Sequence, residues 1–87
     1  MKTIWKFPLS LSDESVFKMP SGAKVLSAGV QEERIHIWAE VDPDKIQVLK
    51  RFYVVGTGHP MPIGNLRFID TVHMAGGELV FHVFEVQ

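Results

Sequence analysis

The chain of 87 residues contains no cysteine, so no disulfide can stabilise its fold. Its 9 Lys and Arg residues against 10 Asp and Glu residues argue against a general affinity for duplex DNA or RNA. No apolar run approaches the roughly 18 residues of a membrane-spanning helix, and the first six residues lack the apolar segment of a signal peptide. These absences predict a cytoplasmic protein whose partners are neither duplex nucleic acid nor a membrane.

Signatures of catalysis and of metal binding are also missing. The sequence has no Cys nucleophile, no Gly-x-Ser-x-Gly elbow, no P-loop and no dinucleotide-binding pattern. Its four His, at positions 36, 59, 73 and 82, lack the close spacing of known His metal sites. Only His73 and His82 are expected to be neighbours, as diagonal residues of one hairpin. We therefore predict no catalytic residue, no metal and no cofactor.

The length of the chain predicts one domain over residues 1–87. A core of this size hides only about 60–65% of the surface of the unfolded chain. Small domains often gain stability from a disulfide, a metal or a second subunit. Because disulfides are excluded, we expect a homo-oligomer.

The chain does contain a succession of short segments with β-strand composition. Residues 3–7 are rich in β-branched and aromatic residues and end at Pro8, as an edge strand or a strand end does. Residues 16–19 form a second short strand before a Pro-Ser-Gly turn. Residues 10–15 between them are predicted as a loop, with one helical turn capped by Ser12 as the alternative.

Residues 24–31 and 34–41 alternate with period two on either side of Glu32 and Glu33, which predicts a hairpin. One face then pairs Val30 with Ile35, Ala28 with Ile37, Leu26 with Ala39 and Lys24 with Val41. The other face sets Gln31, Gly29, Ser27 and Val25 against Arg34, His36, Trp38 and Glu40. Because two Glu residues make a poor type I′ turn, a loop longer by one or two residues is the alternative.

Residues 45–50 are compatible with either a short helix or a loop, and residues 50–56 are predicted as a strand. The segment that follows, residues 56–65, contains three Gly and two Pro and is therefore expected to be a surface loop.

Residues 66–75 and 78–86 are predicted to form a hairpin around Gly76 and Gly77. The predicted register pairs Met74 with Leu79, Val72 with Phe81, Asp70 with Val83 and Phe68 with Glu85 on one face, and Ala75 with Glu78, His73 with Val80, Thr71 with His82 and Ile69 with Phe84 on the other. Asp70 and Glu85 are expected to end the core at its rim. Because residues 79–86 are apolar on both sides, this strand should lie centrally in a sheet or at a subunit interface.

Six to seven short, mainly antiparallel strands separated by Gly and Pro turns predict an all-β fold. The expected architecture is a single small sandwich or a partly closed barrel with the Gly-Gly hairpin at its C-terminal end.

Several segments also resemble a family of small, largely uncharacterised proteins from phages, prophages and bacteria. They are MKTIWKFPL at residues 1–9, MPSGA at 19–23, IWAEVDP at 37–43, GTGHP at 56–60 and GELVFHVFE at 77–85. The resemblance implies a cytoplasmic accessory protein of phage type. Small phage proteins of this kind include inhibitors that sequester nucleotide immune signals, which is an analogy for function rather than a motif.

The corner Gly56-Thr57-Gly58-His59 is the first candidate ligand site. Gly residues expose backbone N–H groups, and a following His can add a donor, so a phosphate or carboxylate could be held there. The alternative is a tight turn that needs a positive φ angle. Arg51 and Tyr53 flank this corner and could extend a pocket.

Arg34, His36 and Trp38 are the second candidate, because they share one strand face above small residues. A flat aromatic ring beside cationic groups suits stacking on a base and contact with a phosphate. The alternative is that Trp38 packs across the hairpin or anchors a subunit interface. If Arg34 and Trp38 lie beside the Gly-Thr-Gly corner, all these residues form one pocket.

We therefore expect a protein that binds and sequesters a small anionic ligand of the nucleotide-signal class and so counteracts host defence.

 

The alternatives belong to other functional classes. One is a protein-interaction module that inhibits a partner protein through Trp5, Trp38 and the last strand. The other is an enzyme that cleaves a phosphodiester, with His59 as general base and Thr57 positioning the phosphate.

Overall fold

The computed structural model describes residues 1–11 and 14–87 and shows an all-β fold of seven antiparallel strands in two sheets. The strands are β1 (Thr3–Pro8), β2 (Glu14–Pro20), β3 (Lys24–Gln31), β4 (Arg34–Val41), β5 (Gln47–Gly56), β6 (Leu66–Met74) and β7 (Leu79–Val86). Strands β1, β4 and β3 form a three-stranded sheet, and β2, β5, β7 and β6 form a four-stranded sheet. The predicted all-β class is confirmed, in the form of an open sandwich rather than a closed barrel.

The two sheets bury their apolar faces against each other because their residues alternate along each strand. Ile35, Ile37 and Ala39 of β4 are fully buried on the inner face of the three-stranded sheet. A chain of aromatic contacts then crosses to the four-stranded sheet. The Phe7 and Phe17 rings lie 5.4 Å apart, and the Phe17 and Phe52 rings lie 6.2 Å apart. The residues between these positions in each strand therefore form the outer faces.

The β3–β4 hairpin has the predicted two-residue turn. Glu32 and Glu33 both adopt positive φ angles, of 54° and 62°, as the two central residues of a type I′ turn require. The register follows the prediction from Gln31 opposite Arg34 to Ser27 opposite Trp38. The unfavourable turn residues are thus accepted because the paired strands fix the geometry.

Beyond Ser27 the predicted register of this hairpin is wrong. An extra residue in β3 shifts the pairing, so that Val25 faces Ala39 and Lys24 faces Glu40. Val25 is buried and Leu26 is exposed, the reverse of the prediction. The physical reason is a β-bulge, which sets two residues of one strand opposite one residue of its partner.

A second β-bulge makes the register of the C-terminal hairpin differ from the prediction. The pairs from Met74–Leu79 to Asp70–Val83 are those predicted, but Ile69 is then skipped. Phe68 pairs with Phe84, and Arg67 rather than Phe68 pairs with Glu85. Glu85 is buried and forms ion pairs with Lys50 at 3.7 Å and Arg67 at 3.6 Å. The bulge therefore supplies a cation to the carboxylate at the rim of the core.

The turn between β6 and β7 and the position of β7 agree with the sequence. Gly76 and Gly77 both have positive φ angles, and the Glu78 N–H donates to the Ala75 carbonyl at 3.2 Å. The ladder itself ends one pair earlier, at Met74 and Leu79. Strand β7 lies between β5 and β6, so the central position predicted from its two apolar sides is confirmed.

Two strands begin earlier than predicted. Glu14 and Ser15 belong to β2 instead of a loop, because they pair with Tyr53 and Phe52. Strand β5 begins at Gln47, so most of the segment left open between helix and loop is strand. The helical turn considered at Ser12 lies outside the described residues.

The sheets also meet along one pair of edges. Asp70 of β6 accepts a hydrogen bond from the Ala28 N–H of β3 at 3.2 Å through its Oδ2 atom. Its Oδ1 atom accepts from the Thr71 N–H at 2.9 Å. Asp70 thereby ties the edge of one sheet to the edge of the other. Among the described residues, no helix combines the length and the apolar character needed to cross a membrane.

Candidate functional site

The nine predicted ligand residues fall into three separate groups. Arg34, His36 and Trp38 lie on the outer face of the three-stranded sheet; Arg51 and Tyr53 lie on the outer face of the four-stranded sheet; and Gly56, Thr57, Gly58 and His59 form the corner after β5. The structure does not bring Trp38 to the corner, because the two outer faces point away from each other. The single pocket considered for all nine residues is therefore not formed within this chain.

Trp38 is the centre of the first group. The register places Lys6 of β1 on one side of it and Ser27 of β3 on the other. Its ring packs on Gly29, where a Cβ atom would lie only 3.4 Å from the indole. The side chain is half-buried by these neighbours, so its edge is held by the hairpin while part of the indole stays accessible.

His36 supports Trp38 from the next row of the sheet. The two ring centroids lie 6.1 Å apart with an interplanar angle of 41°. The Nδ1 atom of His36 lies 3.0 Å from the Arg34 carbonyl oxygen, which can only accept, so Nδ1 carries the hydrogen. Since His36 is only 8% exposed, its role at this surface is to hold Trp38 and the β4 backbone in place.

Two cations, Lys6 and Arg34, share the face of Trp38, and Glu40, which follows Trp38 on this face of β4, is paired with Lys2 at 3.6 Å. Lys6 donates from Nζ to the Oε1 atom of Gln31 across the sheet. Within residues 1–11 and 14–87, neither Lys6 nor Arg34 forms an ion pair with a carboxylate. We call Lys6, Gln31, Arg34, His36 and Trp38 the tryptophan face. It offers a partly open aromatic ring with two uncompensated cations.

The sequence analysis missed Lys6, and it placed Gln31 on this face without giving it a part in the site. Lys6 reaches Trp38 only through the pairing of β1 with β4, which are separated by two other strands in the chain. Alternation within residues 3–7 could have placed Lys6 on a face opposite to Phe7. It could not have named the partner strand, because pairing between distant segments leaves no local signal.

The Gly56 to His59 corner is a tight turn. The His59 N–H donates to the Gly56 carbonyl at 3.0 Å, and Gly58 has a φ angle of 89°, as the third residue of a type II turn requires. The Thr57 N–H donates to the Val80 carbonyl at 3.1 Å. Two of the backbone donors expected to hold an anion are therefore already engaged within the fold.

The ring of His59 closes this turn by packing on Gly56. A Cβ atom on Gly56 would lie 3.3 Å from Nδ1 of the imidazole, which is closer than most side-chain contacts. Glycine at position 56 is thus explained by the approach of His59. The alternative interpretation of the corner as a turn accounts for both observations.

Open clefts nevertheless lie on both sides of the corner. One, of about 390 Å³, is lined by Leu11, Tyr53, Val54, Val55, Gly56, His59, Pro60, Met61, Pro62 and Phe81. The other, also about 390 Å³, is lined by Gly56, Thr57, His59, Glu78, Leu79, Val80 and Phe81. The wall of the second cleft is mainly apolar and that of the first is mixed, and no Lys or Arg lines either cleft. They suit an apolar group better than a phosphate.

A hydroxyl-imidazole network beside the corner was also missed. His82 Nε2 lies 2.8 Å from the Thr57 hydroxyl, and His82 Nδ1 lies 3.0 Å from the Thr71 hydroxyl. Thr71 faces His82 in the predicted register, but Thr57 arrives from another strand. The network occupies the Thr57 hydroxyl, the group that the cleavage hypothesis assigned to a phosphate.

Arg51 and Tyr53 converge on a carboxylate, and Tyr53 also lines the cleft that Gly56 and His59 border. The Arg51 guanidinium lies 3.6 Å from Oε2 of Glu14, and the Tyr53 hydroxyl donates to the same atom at 3.2 Å. The charge of Arg51 is therefore largely balanced where it stands. A ligand role for these two residues stays a prediction.

Metal ligation finds no support in the described residues. Residues 1–11 and 14–87 contain no group of three or more His, Asp or Glu side chains placed to hold a metal ion. His73 is exposed, while both ring nitrogens of His82 contact hydroxyl groups. The two His therefore do not act as a pair.

The fold and the tryptophan face together define a small all-β sandwich domain with one polar, aromatic outer surface. The chain belongs to the family described as a domain of unknown function (DUF7352), whose model matches residues 1–87. No curated protein and no solved structure is significantly similar to it. The phage or prophage origin implied by the resemblance stays a prediction.

Proposed function

We propose that this protein binds and sequesters a small anionic ligand with a planar ring, such as a nucleotide signal, without transforming it. The tryptophan face is the proposed site. The observation that carries the proposal is the register of β1 and β4, which sets Lys6 beside Trp38 on a face where Arg34 is also uncompensated. The proposed setting is the cytoplasm, where such a protein would counteract a nucleotide defence signal.

Each residue of the face has a distinct part in this proposal. Trp38 stacks on the base, since its edge is fixed against Gly29 and its remaining surface is open. Lys6 and Arg34 neutralise phosphate oxygens through charge-assisted hydrogen bonds. Gln31 holds the Lys6 ammonium above the sheet until a phosphate replaces it as acceptor.

Magnitudes indicate how tight such a site can be. Stacking of one base on an aromatic ring contributes about 1–3 kcal/mol. Each hydrogen bond to a charged group contributes about 1.5–3 kcal/mol. Because a micromolar complex needs about 8 kcal/mol, one base and two cations on an open face reach micromolar affinity at best. A ligand with a second base or phosphate is therefore the better fit.

Calorimetric titration with cyclic dinucleotides, linear dinucleotides and mononucleotides tests the proposal. We expect binding of at least one of these ligands, and its loss in Trp38→Leu. Trp5→Leu is the matched control, because Trp5 lies in β1 with its ring 6.4 Å from that of Phe7 and away from the tryptophan face. Binding by neither the wild type nor the control would sink the proposal.

Recovery of the ligand separates binding from catalysis. After incubation and heat denaturation of the protein, we expect the dinucleotide to be released intact. A cleaved product would instead support the phosphodiesterase alternative. The variant His59→Ala would then test whether His59 is the general base of that reaction.

The protein-interaction alternative predicts a different pattern. Trp5 is 37% exposed at the rim of the sandwich, so it is available to a partner protein. Under this alternative, Trp5→Leu abolishes the inhibition of host defence in a cell-based assay, whereas Lys6→Gln has no effect. Under the proposed function, the two variants have the opposite outcomes.

A further inference from the structure

The outer face of the four-stranded sheet carries an exposed apolar surface. Six side chains define it, and we call them the outer patch: Val16, Leu49, Tyr53, Phe68, Phe84 and Val86. Leu49 is 63% exposed and Phe68 is 55% exposed. An antiparallel sheet that faces water on one side normally presents polar residues there. An apolar outer face is instead typical of a protein contact.

The register makes the outer patch continuous. Tyr53, Phe84 and Phe68 lie in one row across strands β5, β7 and β6. The Phe68 and Phe84 rings contact each other edge to face with centroids 5.7 Å apart. Three aromatic side chains in one row across neighbouring strands give a broad apolar surface suited to packing against another sheet.

The charges on this face are few and of both signs. Arg51 and Glu14 lie side by side, 3.6 Å apart, at the margin of the outer patch. Lys18, which pairs with Leu49, adds one further cation, so the face carries only a small net charge. It would attract neither a strongly acidic nor a strongly basic partner, and it can exchange ion pairs with its own copy.

The size of the molecule is sufficient for such a contact. A stable interface hides about 800 Å² on each partner, which is about a seventh of the 5591 Å² surface of this chain. The Cα extents are 40 × 29 × 16 Å, so each broad face of the sandwich can supply this area. A chain without cysteine also gains most from a second copy, because it has no disulfide to stabilise it.

We propose that two copies of this chain form a symmetric dimer by packing their outer patches face to face. The contact is isologous, since the same surface of each copy meets itself. The two tryptophan faces then point outward on opposite sides of the dimer. The dimer is independent of the proposed ligand function, because it uses the other sheet.

Sedimentation velocity over a wide range of protein concentration tests this dimer. We expect the wild type to sediment with twice the 9.8 kDa mass of the chain. Phe68→Glu buries a charge at the contact, so we expect the dimer dissociation constant to rise about thirtyfold or more, as at an interface hot spot. Ile63→Glu is the matched control, because Ile63 is fully exposed outside the outer patch and should leave the dimer intact.

A second variant distinguishes loss of the dimer from loss of the fold. Leu49→Glu changes a side chain that is mostly exposed in the isolated chain, so its circular dichroism should match that of the wild type. Its dimer should nevertheless weaken. A monomeric wild type at all concentrations would overturn the proposal. So would a folded Leu49→Glu or Phe68→Glu variant that dimerises as tightly as the wild type.

Discussion

The two outer faces of the sandwich differ although the same alternation builds both. The three-stranded sheet exposes Lys6, Arg34 and the partly open Trp38, and among the described residues neither Lys6 nor Arg34 pairs with a carboxylate. The four-stranded sheet exposes the rings of Phe68 and Phe84 and balances Arg51 with Glu14. The face of the three-stranded sheet therefore suits a charged small ligand, whereas the face of the four-stranded sheet suits a flat protein surface.

We expect the largest loss of stability from a substitution in the core between the two sheets. Phe52 is fully buried on the inner face of the four-stranded sheet and contacts Phe17 of the neighbouring strand β2. Phe52→Ala should lower the free energy of unfolding by about 3–5 kcal/mol, because it removes a ring and leaves a cavity. Ile4→Ala, on the outer face of the three-stranded sheet, should change it by only about 0.5 kcal/mol or less. Urea denaturation of the two variants checks this difference, and equal losses would contradict the assignment of inner and outer faces.

Removing one positive charge from each face tests whether ligand affinity depends on the tryptophan face. Lys6→Gln on the tryptophan face should weaken dinucleotide binding about tenfold or more, since it removes one charge-assisted hydrogen bond. Lys18→Gln on the outer face of the four-stranded sheet is the matched control and should leave affinity unchanged. Calorimetric titration measures both. An equal effect of the two changes would show that binding depends on net charge and not on the face.

Salt should affect the two faces differently. The Debye length falls from about 10 Å at 0.1 M to about 3 Å at 1 M ionic strength. Ligand affinity at the tryptophan face should therefore fall several-fold as salt rises, while association through the outer patch should not weaken. Titration and sedimentation at low and high salt check the two halves of this prediction. Salt-sensitive association would contradict an apolar dimer contact.

The smallest expected effect lies at the polar end of the four-stranded sheet. Thr57→Val keeps the shape of the side chain but removes the hydroxyl that contacts His82 Nε2 at 2.8 Å. We expect a loss of about 1 kcal/mol in the free energy of unfolding, typical of one hydrogen bond. Thr3→Val in β1 is the control, since Thr3 is exposed. A loss of ligand binding in Thr57→Val would instead place the site at the Gly56 corner.

Local patterns in the sequence predicted the parts of the fold that depend on neighbouring residues. Period-two alternation around Glu32 and Glu33, and around Gly76 and Gly77, was enough to predict both hairpins and most of their registers. The two bulges were not predictable in this way. A single extra residue such as Leu26 or Ile69 alters which side chains face the core without changing composition.

The candidate site was predictable only where it lies on one strand. Arg34, His36 and Trp38 share a face of β4, as alternation indicates. Lys6 was missed because its pairing with Trp38 joins distant segments of the chain. Whether Trp38 lies beside the Gly56 corner was open for the same reason, since the sequence does not say which sheet each strand joins.

Chemical-shift mapping by NMR tests directly whether the ligand binds at the tryptophan face. On addition of a cyclic dinucleotide, we predict that the largest shifts occur at Lys6, Arg34 and the Trp38 indole N–H, while the amides of the outer patch stay unchanged. Shifts centred on Gly56 to His59, or no shifts at the tryptophan face with a ligand that binds, would contradict ligand binding at the tryptophan face.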